Sequence, residues 1–296
     1  MAIFRPFSIP LMSNRGLHLF FAIMAFLSYT VIKPLDSGGC SVNNLLISGG
    51  RDYDVPCMYC ITGKEKTLCV VVHGFGGSKQ GLTGSMILKE MPPLGIGVIA
   101  FDFPGHGESR ADDGSLRLDN CLSDLSAVEA FARGMAPEAE IVFFASSFGA
   151  YVALIYFAEL KHSGRRAFLR SAAVNMHHNF TRQLRREQLN SLEASGKLVL
   201  SKAEYGYARD MKLTRGFVDD LENHDIFSIW KEGFAEIRMI HGGSDRVIPL
   251  RDAKSFAERF RIPLTIVPNG DHQLSTPGVP EQVIKAAVGF SLIHKG

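Results

Sequence analysis

After Cys40 the chain settles into short apolar runs that alternate with segments whose apolar residues recur at helical spacing. That alternation is the strongest constraint on the fold. Strands separated by helices cannot pair as tight hairpins, so they must run largely parallel, with helices covering both faces of the sheet. The expected strands are Leu45–Ser48, Val55–Ile61, Leu68–Val72, Val98–Phe101, Ile141–Ala145, Ala172–Val174, Ile237–Ile240 and Leu264–Val267. Helices are expected over Leu118–Met135, Tyr151–Leu160, Ala253–Phe260 and Pro280–His294. The 296 residues, 46% hydrophobic and 21% charged, suffice for one large α/β domain and exclude a disordered chain. A net charge of +2, spread along the sequence, gives no footprint for nucleic acid.

Two segments depart from this rhythm. Residues 1–40 carry the apolar stretch GLHLFFAIMAFLSYTVI at 16–32, preceded by Arg5 and Arg15, with no acidic residue before Asp36. A basic start and an apolar centre read as a signal or an anchor, which would associate the protein with a membrane or export it. The run is short for a span and no A-x-A-like cleavage site follows it, the nearest small-residue site being Ser37-Gly38-Gly39 before Cys40, so a helix packed on the domain is the competing reading. The second segment, about 177–233, lacks a strong strand. Leu184, Leu189, Leu192, Phe217, Val218 and Leu221 are spaced as amphipathic helices broken at Gly196 and Gly206, which suggests a cap inserted into a domain spanning 41–296. The five cysteines are odd in number and scattered, so no disulfide framework is expected. Cys57 and Cys60 are read as small buried residues within a strand. No metal-ligand spacing appears.

Chemistry concentrates at Val142–Ala150, VFFASSFGA. A bulky apolar strand ends in small residues and a helix follows at once, the setting of a serine held on a tight strand-to-helix turn. Such a turn needs small residues two before and two after the serine. Ser147 has Ala145 and Gly149 there, whereas Ser146 would have Phe144 and Phe148, so Ser147 is the expected nucleophile. A serine hydroxyl needs a base, and the base needs a carboxylate to orient it. His272 follows the last strand and Asp245 follows the one before it, giving the order Ser147, Asp245, His272. Asp271 adjoins the base in sequence and would point away from its far nitrogen, so Asp245 is preferred. Oxyanion donors are expected in the backbone N–H groups of Phe148 and of Phe75, in the glycine-rich turn His73–Gly77. That turn is not a nucleotide fingerprint, because Lys79 stands where a third glycine would be needed.

HGFGGSK at 73–79, FDFPGHGES at 101–109, ASSFGA at 145–150, HGGSDRVIP at 241–249 and GDH at 270–272 together resemble the serine α/β-hydrolase family. The resemblance is greatest to small bacterial carboxylesterases with a short cap, the feruloyl (cinnamoyl) esterase-like group among them. It implies an eight-stranded sheet with one antiparallel strand near its start, a helical cap after the sixth strand, and cleavage of a small-molecule ester without cofactor or metal. It also implies that Asp102 and His106 shape a turn rather than react. Aromatic residues of the cap, Phe180, Tyr205, Tyr207, Phe217, Phe227 and Trp230, would favour apolar or aromatic acyl groups. A lysophospholipase or monoacylglycerol lipase, a serine peptidase of the same fold, and a binding protein with a vestigial site are the alternatives. Asn179-Phe180-Thr181 also matches a glycosylation sequon.

Overall fold

The computed structural model describes residues 40–48, 51–159 and 166–293. Almost all of the expected signal or anchor segment lies outside them. No helix among the described residues is long and apolar enough to cross a membrane.

Among the described residues ten strands form, in chain order β1 Asn43–Ser48, β2 Asp54–Cys60, β3 Thr67–Val72, β4 Ile96–Phe101, β5 Glu140–Ser146, β6 Arg166–Arg170, β7 Lys197–Leu200, β8 Met211–Thr214, β9 Glu236–Gly242 and β10 Leu264–Val267. Eight of them make one sheet in the order β1-β2-β4-β3-β5-β6-β9-β10. Only β2 runs against the rest, antiparallel to both β1 and β4; the other pairings are parallel. Strands β3, β4 and β5 are buried on both faces, which is why they read as unbroken apolar runs. The expected α/β-hydrolase sheet is present.

The main helices are α1 Leu82–Glu90, α2 Leu118–Met135, α3 Phe148–Glu159, α4 Met176–Thr181, α5 Arg186–Ser195, α6 Lys202–Tyr205, α7 Arg215–Asn223, α8 Ile226–Ile229, α9 Leu250–Arg259 and α10 Val279–Ser291. Helix α3 is buried from Phe148 through Phe157. A helix with no polar face has to lie inside the protein, and its Tyr hydroxyls find partners there: Tyr151 donates to the His224 carbonyl at 2.8 Å and Tyr156 to Glu129 at 2.7 Å. Each fully buried aromatic on α3 contributes about 1.5–3 kcal/mol of apolar burial. The helix therefore fixes the position of the turn that precedes it.

Three sequence expectations are corrected. The sixth strand is Arg166–Arg170, not Ala172–Val174. Its arginines disguise it, because Arg166 is drawn into the fold by Glu140 at 3.1 Å and by the Phe290 carbonyl at 2.6 Å. Ala172, Ala173 and Val174 are buried because they pass behind Ser147, where the Ala173 N–H donates to the Ser147 carbonyl at 3.2 Å. The inserted segment is also not purely helical: β7 and β8 form an antiparallel hairpin registered Lys197 opposite Thr214. Each has four residues and alternates exposed with buried, too short a run for a period of two to stand out. Finally, Cys60 is joined to Cys40 by a disulfide, their Cα atoms 5.9 Å apart; Cys57, Cys69 and Cys121 are free and buried. The pairing depends on where the chain enters β1 beside β2, which spacing alone does not reveal.

The segment between β6 and β9 lies over the C-terminal ends of the strands and is tied down at several points. Asp220 of α7 takes both Arg117 Nε and Nη2 at 2.6 Å and the Leu118 N–H at 2.9 Å. Arg182 and Gln183, after α4, both donate to the Val247 carbonyl. Asn179 is fully buried with its amide on Asp252 at 3.1 Å, so the sequon is inaccessible in the folded protein.

Candidate active site

Strand β5 ends at Ser146, α3 begins at Phe148, and Ser147 between them has φ 52°. This left-handed conformation is costly for a residue with a Cβ. It is held by the Ser147 N–H on the Arg170 carbonyl at 2.9 Å and by the Ser147 carbonyl, which accepts from Ala150 and Tyr151. The turn leaves no room at Gly149: a Cβ there would lie 2.4 Å from the His73 carbonyl oxygen and 2.7 Å from that of Val72. Ser146 instead points into the fold, 4% exposed, its Oγ accepting from Arg170 Nε at 3.1 Å.

Ser147 Oγ lies 3.0 Å from His272 Nε2, and His272 Nδ1 lies 2.7 Å from Asp245 Oδ2. Asp245 Oδ1 accepts the N–H groups of Val247 and Ile248, each at 2.8 Å. Burial alone would raise the Asp245 carboxyl. The His272 imidazole, the Ile248 N–H and His241 outweigh burial and hold it below the usual carboxylate range. As an ionised carboxylate only accepts hydrogen bonds, His272 carries its proton on Nδ1 and turns the Nε2 lone pair towards Ser147. Asp271 faces elsewhere, accepting from the Ser275 N–H at 2.9 Å and its Oγ at 2.6 Å. The loops bearing Asp245 and His272 pack closely: a Cβ at Gly242 would lie 2.4 Å from the carbonyl oxygens of both Gly270 and Asp271.

The turn carrying Phe75 lies against Ser147, where a Cβ on Gly74 would be 3.1 Å from the serine Cβ. The turn is closed by the Gly77 N–H on the Gly74 carbonyl at 3.0 Å, and His73 Nδ1 donates to the same carbonyl at 2.8 Å. His73 Nε2 accepts the Phe103 N–H at 3.1 Å, so the ring joins this turn to the FDFPGHGES segment. The N–H groups of Phe75 and Phe148 have no acceptor among the described residues. Phe148, as the first residue of α3, has none within its helix.

Asp102 and His106 sit beneath this turn. Asp102 accepts the Lys79 N–H at 2.6 Å, Lys79 Nζ at 2.8 Å and the Glu108 N–H at 2.9 Å. Lys79 also meets Glu108 at 2.6 Å. Burial depresses the Lys79 ammonium, but its two carboxylate partners outweigh that and raise it. His106 donates Nδ1 to the Pro104 carbonyl at 3.0 Å and is pushed down to about 3 by burial.

From the segment between β6 and β9, the Ala208 N–H donates to the Gly76 carbonyl at 2.8 Å and the Tyr207 ring lies across Gly76. The Phe75 ring meets those of Phe148, Phe180, Tyr207 and Phe217 at centroid distances of 5.6–6.1 Å. Tyr205 stacks on Tyr207, while Phe227 and Trp230 pack around Phe256, away from this cluster. Sequence reasoning passed over His241, whose Nε2 donates to the Ile248 carbonyl at 3.0 Å and lies 3.3 Å from Asp245 Oδ2. It also passed over Arg170 and Ser171. The strand that ends at Arg170 was expected at Ala172–Val174, so no signal in the sequence pointed to them.

A model of the Alpha/beta hydrolase family matches residues 69–286, from β3 into α10, and so takes in every group just described. The chain belongs to that family. No curated protein sequence gives a significant match. Solved structures of this alpha/beta hydrolase's fold include a putative hydrolase from Agrobacterium vitis S4, with a TM-score of 0.72 at 19% identity over 86% of this chain and 100% of that one. Est1E from Butyrivibrio proteoclasticus, solved with ferulic acid bound, gives 0.71 at 17% identity over 84% and 98%. Mouse alpha/beta hydrolase domain-containing protein 10 gives 0.64 at 17% over 83% and 96%. At these identities the likeness is one of fold.

Proposed function

We propose that this alpha/beta hydrolase is a serine esterase that cleaves small-molecule carboxylic esters through an acyl-enzyme. The observation that carries the reading is the hydrogen-bonded series Ser147 Oγ, His272, Asp245, at 3.0 and 2.7 Å, with the serine on a left-handed turn between strand and helix. Ser147 attacks the ester carbonyl carbon as its proton passes to His272 Nε2. The tetrahedral oxyanion is met by the unpartnered N–H groups of Phe75 and Phe148. As the carbon–oxygen bond breaks, His272 returns the proton to the leaving alkoxide and an alcohol departs. Water then attacks the acyl-serine with His272 again as base, releasing the acid and restoring Ser147. Asp245 holds the Nδ1–H tautomer throughout and stabilises the imidazolium when it forms.

The aromatic cluster of Phe75, Phe148, Phe180, Tyr207 and Phe217 beside the oxyanion turn supports apolar or aromatic acyl groups as substrates. The ferulic acid bound by Est1E, a protein of the same fold, is compatible with that preference. The test is hydrolysis of p-nitrophenyl esters from acetyl to palmitoyl, and of methyl ferulate, by the protein and its Ser147→Ala variant. Activity that disappears in the variant and favours short or aromatic acyl groups is expected. A preference for palmitoyl would turn the reading towards a lipase, and equal rates in the two proteins would remove Ser147 from the chemistry.

A further inference from the structure

The base in this site has far to come. In the sheet, Ser147 leaves β5 while His272 follows β10, and β6 and β9 lie between them. The His272 loop must therefore reach back across two strands and stop with Nε2 at hydrogen-bond distance from the serine. On the β9 side it is held by backbone contacts with the acid loop, the Ser244 N–H donating to the Gly270 carbonyl at 2.9 Å. On the β6 side it is held by two side chains. Ser171 Oγ donates to the carbonyl of His272 itself at 2.8 Å, and Arg170 Nη1 donates to the carbonyl of Gln273. Arg170 also holds the turn that carries the nucleophile. The Arg170 carbonyl accepts the Ser147 N–H at 2.9 Å, and Arg170 Nε donates to Ser146 Oγ at 3.1 Å.

We propose that Arg170 and Ser171, at the end of β6, are positioning residues that hold the His272 loop in register with Ser147. The proposal rests on the esterase reading above. Stability alone accounts poorly for either residue. Among the described residues no carboxylate lies within 4.0 Å of the Arg170 guanidinium, which lines a narrow cleft with Leu82, Met86 and Ile284. Arg170 is half-buried, and Asp271 and Asp245 act on it only through space, so its directed bonds go to the two loops rather than to an ion pair. Ser171 is fully buried and has φ 49°, a left-handed conformation that glycine would adopt without strain. A serine retained there keeps a hydroxyl directed at the base's own carbonyl.

Those features separate a positioning role from a structural one. Ser171→Gly removes the hydroxyl and relieves the left-handed strain, so its thermal midpoint should exceed that of Ser171→Ala. Both should lose kcat for p-nitrophenyl acetate by about tenfold, the worth of one well-placed hydrogen bond, with KM within about twofold. Arg170→Met should lower kcat by about tenfold or more, since small displacements of reacting groups are amplified in rate. Labelling of Ser147 by a fluorophosphonate should slow in parallel. Rates that follow the thermal midpoints, with Ser171→Gly as fast as the unaltered protein, would overturn the proposal while leaving the esterase reading intact. If the unaltered protein neither labels at Ser147 nor hydrolyses the ester, both fall together.

Discussion

Replacing Asp245 by asparagine changes one atom, yet the surrounding donors dictate which way the new amide must face. Oδ1 of Asp245 accepts the N–H groups of Val247 and Ile248 at 2.8 Å each, so an NH2 in that place would set donor against two donors. The asparagine oxygen therefore takes the Oδ1 position and its NH2 stands where Oδ2 was, 2.7 Å from His272 Nδ1. Nδ1 must then accept, the ring proton moves to Nε2, and the lone pair facing Ser147 Oγ at 3.0 Å is lost. Rotating the amide restores the productive tautomer but abandons two backbone donors, at about 1–3 kcal/mol each. That corresponds to a productive fraction lower by about 30-fold to 10⁴-fold. The upper end matches the loss of about 10⁴ associated with a wrong histidine tautomer in serine hydrolases. The assay is kcat for p-nitrophenyl acetate, with a urea-unfolding curve to show that the fold is intact. A folded Asp245→Asn variant retaining more than about a tenth of the activity would refute the tautomer argument and pass the acid's role to another carboxylate.

Other consequences follow from the same geometry. Gly149→Ala should destabilise the protein by at least about 1–3 kcal/mol and abolish ester hydrolysis, because its Cβ would meet backbone oxygens at 2.4 and 2.7 Å; unchanged unfolding would show that the elbow can relax. Lys79→Met should cost about 3 kcal/mol, the low end for breaking a buried ion pair, since Asp102 keeps its two backbone donors. A urea midpoint unmoved by that substitution would contradict it. His106 makes a pH prediction. Its folded value of about 3 lies below the ordinary ~6.5, so above that value it adds no pH dependence. Between the two values the unfolded chain takes up a proton that the folded protein refuses, and stability falls by about 1.4 kcal/mol per pH unit. His106→Gln should flatten the slope between about pH 6 and pH 5 by that amount, read from urea unfolding at both.

What was legible in the sequence was local. The strand, the small residues flanking Ser147 and the helix after it are neighbours in the chain, so steric demands on a tight turn could be read directly and could separate Ser147 from Ser146. Asp245 and His272 could be named because each immediately follows a recognisable strand, and chain order substitutes for distance when a family topology is known. The polar and paired features were not legible. Strand β6 hid behind arginines whose partners come from β5, β9 and α10. The β7–β8 hairpin was too short for its period to show, and the Cys40–Cys60 link depends on how the chain enters the sheet.

Local sequence determined the alternation of strand and helix, and with it a parallel sheet that delivers loops to one edge. Apolar periodicity needs nothing beyond a few neighbouring residues to express itself. Only the tertiary structure decided that His241 stands behind Asp245, and that Arg170 and Ser171 hydrogen-bond to the His272 loop from a strand lying between it and Ser147. The contacts of Arg170 and Ser171 join residues far apart in the chain through directed hydrogen bonds. Such bonds depend on ångström-level placement by the packed sheet, and no local pattern of residue types encodes that placement.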